Sequence, residues 1–201
     1  MAAPLLAWVS HNPSAELAAA LDAAIEAPDP GPAHYAARAS LPGGLPEAVW
    51  RELGASPSPA MRAVVARHSP RAQASELASL TRATEPSHQV RAAAVERLAA
   101  VAFDRATVVA ALGDGHPIVR MAAARALARR GDDEVPTFRG VAFDGTPLAQ
   151  QAAVTGLRIR GSRAAADVLH EIVADHPSES LQRIAAIALG EPLGEVHPPQ
   201  P

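Results

Sequence analysis

Self-similarity constrains this chain more than any single residue does. The segments AMRAVVARHS (60–69), VRAAAVERLAA (90–100), VRMAAARALARR (119–130), AQQAAVTGLRIR (149–160) and LQRIAAIALG (181–190) superimpose. Their aligned polar positions are Arg62, Arg91, Arg120, Gln150 and Gln182, spaced by 29, 29, 30 and 32 residues. A weaker copy, AHYAARASL (33–41), puts His34 one period earlier. A near-constant period of this length describes one supersecondary unit used repeatedly, each burying its apolar face against the next.

Each unit reads as two helices. The first, helix A, is the aligned segment, with apolar residues three and four apart, as in Val119, Ala122, Ala123 and Leu127. The second, helix B, follows a short turn: 46–54, 71–83, 104–114, 133–144 and 162–175. Pro59, Pro117 and Pro147 each stand three residues before a marker, which suits a first helical turn that needs no N–H. Ser58 and Thr146 precede two of them as N-cap candidates. Gly131 and Gly161 follow A helices, where a left-handed residue often ends a helix. Pro136 means that its B helix either starts at Val135 or is kinked. The expected class is therefore all-α, an α-solenoid of about five to six two-helix repeats over residues 30–190. Residues 1–29 contribute a capping helix (12–27), and the proline-rich tail 191–201 is expected to be disordered.

An acidic residue recurs ahead of the markers. Asp114 stands six before Arg120, Glu85 six before Arg91 and Asp144 six before Gln150, while Asp175 precedes Gln182 by seven. An acid in that turn can accept from the free N–H groups of the following helix. The pattern D-x-x-x-x-[VI]-R-x-x-A-A-x-A-L resembles the HEAT repeat, especially the short bacterial form also found in phycobilisome lyases. Residues 33–83 also resemble the leucine-rich repeat variant, which implies shorter or partly 3₁₀ first helices. The HEAT resemblance implies a polar ladder of acid and arginine between neighbouring repeats. It matches here at Asp114 with Arg120 and Glu85 with Arg91. Asp144 faces Gln150, and Ser56 stands where Arg62 would need an acid. Arg62, Arg91 and Arg120 are accordingly read as frame residues rather than phosphate contacts.

The composition narrows what such a frame can hold. The formal charge is −3 with no lysine, which argues against a general polyanion binder. Aromatic residues are 3% of the chain, too few to suggest a planar cofactor site. The absence of cysteine removes disulfides, thiolate zinc sites and cysteine nucleophiles. Phosphate loops, nucleophile elbows and zinc-protease signatures are also missing. His88 and His116 lie in adjacent inter-repeat loops without a paired carboxylate, and are read as surface histidines. Phe103 and Phe143, in a duplicated VAFD, read as core filling. The N-terminus fits neither a secretory signal nor a membrane span, so the expected location is cytoplasmic.

These features point to a non-catalytic protein–protein interaction scaffold or adaptor, with no cofactor and no metal, whose partner is another protein. In the resembled family, B helices line the concave face. That makes Trp50, Arg51, Glu76, Arg105, Arg139, His170 and Glu171 the candidate partner-binding residues. Trp50 and Arg51 lead because these types are enriched at binding hot spots; packing of Trp50 inside the next unit is the alternative. The runner-up functions are a phycobilisome-lyase-like protein acting on a cofactor-bearing partner and a HEAT-like nucleic-acid binder.

Overall fold

Proline and polar caps decide where the helices begin. A computed structural model describes residues 14–70, 74–82 and 84–190, and the chain divides into two compact units, residues 1–101 and 102–201. The tail 191–201 and residues 1–13, with Trp8, lie outside the described residues. No strand occurs among those described.

The first unit holds α1 (Ala15–Ile25), α2 (Pro32–Ala39), α3 (Glu47–Ala55), α4 (Pro59–His68), α5 (Ala74–Leu80) and α6 (His88–Val101). Here α2, α4 and α6 are A helices; α3 and α5 are B helices. Consecutive A helices pack together, α2 on α4 and α4 on α6. Each B helix packs on the A helix that follows it, α3 on α4 and α5 on α6. The second unit holds α7 (Arg105–Ala111), α8 (Pro117–Ala128), a 3₁₀ turn (Asp132–Glu134), α9 (Val135–Asp144), α10 (Pro147–Arg160), α11 (Arg163–Asp175) and α12 (Glu179–Leu189). The same logic recurs, with α8 on α10 and α10 on α12 among the A helices.

Burial follows the repeat register. Leu98, Leu127 and Leu157, each seven residues after its marker, are all fully buried. Alanines on the same helices (Ala93, Ala123 and Ala153) are fully buried too. Alanine adds little area per residue, so the larger gain comes from these leucines at roughly 25 cal/mol per Å² of apolar surface. Small residues also let helices approach closely. A Cβ on Gly156 would stand 2.2 Å from the ring of the fully buried Phe138, so α9 and α10 meet at a glycine.

Pro59, Pro117 and Pro147 each occupy the first turn of an A helix, as expected. Thr146 caps α10 by accepting from Ala149 N, whereas Ser58 makes no side-chain cap and donates its own N–H to Ser56 Oγ at 3.2 Å. Gly161 ends α10 at φ 61° in the left-handed region. Of the two readings of Pro136, a start at Val135 is the observed one, behind the 3₁₀ turn. The early helices are short, but α2 to α5 are α-helical; the described 3₁₀ turn lies in the second unit. Phe103 and Phe143 are only half-buried. Arg130 lies 4.5 Å over the Phe103 ring and Arg139 5.3 Å over that of Phe143, so both rings serve as plates for guanidinium groups.

Candidate functional site

Four of the five markers, Arg62, Arg91, Arg120 and Gln182, bond to the backbone of the loop before them. Arg62 Nη1 donates to the carbonyls of Ser56 (2.9 Å) and Pro57 (3.1 Å). Arg91 Nη1 does the same to Glu85 (2.7 Å) and Pro86 (3.2 Å), and Arg120 Nη1 to Asp114 (2.8 Å) and Gly115 (3.0 Å). Gln182 Nε2 reaches the His176 carbonyl at 2.6 Å. At the three arginines a charged donor is held against one half-buried carbonyl and one exposed carbonyl, and it satisfies the half-buried group within the loop.

The residue six before each of these four markers completes the joint. Its side chain accepts from the N–H two residues on: Glu85 from Ser87 (3.0 Å), Asp114 from His116 (2.7 Å) and Ser56 from Ser58 (3.2 Å). In the last repeat this position is His176 and not Asp175. The ring Nδ1 accepts from Ser178 N at 3.0 Å, while Nε2 lies 3.1 Å from the Ala142 carbonyl. Those two bonds assign the proton to Nε2. The imidazole is 2% exposed, so one ring both closes its own loop and ties it to α9. The acid's carboxylate therefore holds the N–H of the residue that precedes the next helix, and the arginine finds the acid's main chain. One carboxylate also reaches between repeats: Arg62 Nη2 donates to Glu85 Oε1 at 3.3 Å.

The candidate partner-binding residues fall into both units, and four of the seven lie in the second. There Arg105 donates twice to Glu134 (3.0 and 2.8 Å), a carboxylate that is 2% exposed and also accepts from Thr137. Arg139 Nε donates to Glu171 at 2.8 Å, with a second bond from Nη2 to the other oxygen. That pairing holds the Glu171 carboxyl below its ordinary range and raises the Arg139 guanidinium. His170 is exposed on α11. The partners lie 29 and 32 residues apart in sequence, about one repeat, so these side chains brace one repeat against the next. Arg67 with Glu96 follows the same rule at 29.

In the first unit Trp50 is 7% exposed and packs with Ala36, Leu45, Leu53 and Val64. Its place is the core, as in the packing alternative, because the apolar spacing of α3 turns it inward with Leu53. Arg51, the next residue, is exposed and has no hydrogen bond or ion pair among the described residues. The Glu76 side chain lies outside what is described.

Trp50 nevertheless meets an opening. A groove of about 390 Å³ lies among α3, α4 and α5. Trp50, Leu77 and Val90 are buried beneath it; Arg51, Gly54, Arg62, Val65, Ser69 and Leu80 also line it. Ser69 is the residue that sequence reasoning passed over. Counting seven beyond each marker gives Leu41, Ser69, Leu98, Leu127, Leu157 and Leu189. The leucine that closes the pattern everywhere else is a serine in the one repeat where α4 stops at His68.

A family model for HEAT repeats matches residues 74–138 and 106–190. The chain belongs to the HEAT-repeat family. Its class is accordingly the all-α fold of HEAT repeats. No curated protein and no solved structure matches the chain. HEAT repeats generally mediate protein–protein interaction, and proteins built from them are typically non-catalytic. Among the described residues no helix is long and apolar enough to cross a membrane, and no group of three or more His, Asp or Glu could hold a metal ion.

Proposed function

We propose that this HEAT-repeat chain is a non-catalytic scaffold or adaptor that holds a partner protein on the B-helix face of its repeats. The observation that carries the reading is the groove beside Trp50 and Arg51. It combines an apolar floor, an unpaired cation at the lip and a size within the ~300–1,000 Å³ typical of ligand-holding recesses. The arginines of the other B helices support the same view from the opposite side. Arg105 and Arg139 are committed to Glu134 and Glu171, which disfavours a positive track for a phosphate backbone.

The test is a photo-crosslinking residue, benzoylphenylalanine, in place of Arg51, with a control at the exposed Asp167 on α11. Irradiation in the native lysate is expected to give a discrete protein adduct from the Arg51 site and none from the control. Nucleic-acid adducts, or no discrete polypeptide at either site, sink the scaffold reading.

A further inference from the structure

The groove lies at one departure from the repeat. In α6, α8 and α10 the residue seven past the marker is a leucine wholly removed from solvent, Leu98, Leu127 and Leu157. Ser69 cannot fill that volume, and it ends its helix instead, donating N–H to Val65 O at 2.9 Å. On the facing helix, a Cβ on Gly54 would meet nothing within 4 Å, so that wall is open as well. The lip carries both signs of charge, with one cation left over among the described residues. Arg51 is unpaired among the described residues, while Arg62, also in the lining, is committed to Glu85 and to two carbonyls. The acid on that rim, Glu47, is already engaged in another interaction.

We infer that the groove takes a segment of a partner protein that supplies a leucine-sized aliphatic side chain together with a neighbouring carboxylate. The aliphatic group occupies the space that the register leucine fills in the other repeats. The carboxylate meets Arg51, which can offer it two parallel N–H donors. Residues such as Leu77 and Val90 give the anchor a desolvated floor, the setting in which single side chains dominate an interface. This inference rests on the proposed interaction role and specifies the chemistry of its partner.

Three blocked hexapeptides test it: Ser-X-Leu-Leu-X-Ser, with X as Glu, Gln or Lys. They are titrated into the ¹⁵N-labelled full chain, and backbone amide shifts of Ala66, Leu77 and Leu80 are followed. The Glu peptide is expected to move those amides and to bind about tenfold more tightly than the Gln peptide, a difference typical of one charge-assisted contact. The Lys peptide is expected to bind more weakly still. Arg51→Gln should bring the Glu and Gln peptides to equal affinity. Ser69→Leu, which restores the repeat's own plug, should abolish binding of all three while amide dispersion is kept. Should Ser69→Leu perturb the fold, Gly54→Leu blocks the groove from an exposed helical position.

Equal binding of the Glu and Gln peptides to the wild-type chain overturns the inference. So does undiminished binding to both groove-filling variants. Concentration-dependent shifts of the same amides without peptide overturn it too, by assigning the groove to a second copy. The outcomes separate from those of the scaffold test. A protein adduct at the Arg51 site that survives Ser69→Leu leaves the scaffold standing and removes the leucine-and-acid chemistry. Peptide binding with no protein adduct does the reverse.

Discussion

The repeat marked by Arg62 and the repeat marked by Gln150 are built alike and finished differently. Both open with proline at the first helical turn, and both use their sixth and seventh residues past the marker against neighbours. In the second unit those residues are Gly156 and Leu157; one admits the Phe138 ring and the other is fully buried. In the first unit they are His68 and Ser69. His68 lies near Arg67 and Arg97, and burial followed by those two charges lowers its pKa. Ser69 leaves a groove. The second unit has spent these positions on packing. The first puts a half-buried histidine and a buried serine there, at a cost in apolar burial.

The sharpest way to break that contrast is to unpack the second unit. Phe138→Ala should cost about 3–5 kcal/mol, as large-to-small core changes do. Gly156→Ala should also destabilise, by about 1–3 kcal/mol, although alanine is the better helix former. Urea denaturation of each variant measures both. A Gly156→Ala chain as stable as the parent means that α9 and α10 are not held at the approach described.

Next in size is the arginine joint common to both units. Arg120→Ala takes the donor from the half-buried Asp114 carbonyl and the exposed Gly115 carbonyl and should cost about 1.5 kcal/mol, the lower end of the range for hydrogen bonds from charged groups. Arg120→Gln should retain much of that stability, since Gln182 makes the equivalent bond at 2.6 Å. A glutamine variant as damaged as the alanine one removes the idea that the main-chain bond is what matters.

A smaller effect separates the units by pH. His68 is neutral-favouring in the folded chain, with its pKa below the ordinary 6.5. The unfolded chain therefore binds the proton first as pH falls, and ∂ΔG/∂pH is positive in that window. Stability of the first unit should be level above about pH 6.5 and decline below it, down to the folded-state value. His68→Gln should flatten the profile between pH 5 and 7. An unchanged slope in that variant would assign the pH dependence elsewhere. The smallest change is expected from Arg67→Ala, which breaks an exposed pair with Glu96 and should cost about 0–1 kcal/mol. Thermal melts at low and high salt check it.

Much of the fold was legible because periodicity marks equivalent positions. It located the A helices to within a residue or two, put the prolines at their starts and singled out the arginines as frame. Periodicity does not say which neighbour an equivalent position touches. The arginines were expected to pair with the acid six residues before them; their described bonds there go to carbonyls, because that acid accepts from the N–H two residues on, and Arg62 meets a carboxylate one repeat away, at Glu85. His176 was overlooked in favour of Asp175 because a search for acids skips a histidine that performs the same acceptance. Trp50 was weighed for the surface by residue type, while the spacing of its helix turned it inward. Arg105 and Arg139 were read singly, and their partners stand a full repeat away. Ser69 was visible in the alignment itself as a break in the leucine column; what made it meaningful was the space around it.

A joint made to main-chain carbonyls has a consequence for how such a chain can change. Every residue in the connecting loop carries a carbonyl, so the arginine's demand is met by Ser56, Glu85 or Asp114 alike. The loop is then free to be respelled, and the interval that ends at Gln182 reaches 32 residues without losing its fastening. A scaffold fastened in this way can acquire a new recess in one repeat, by one leucine becoming serine, while its neighbours stay in place.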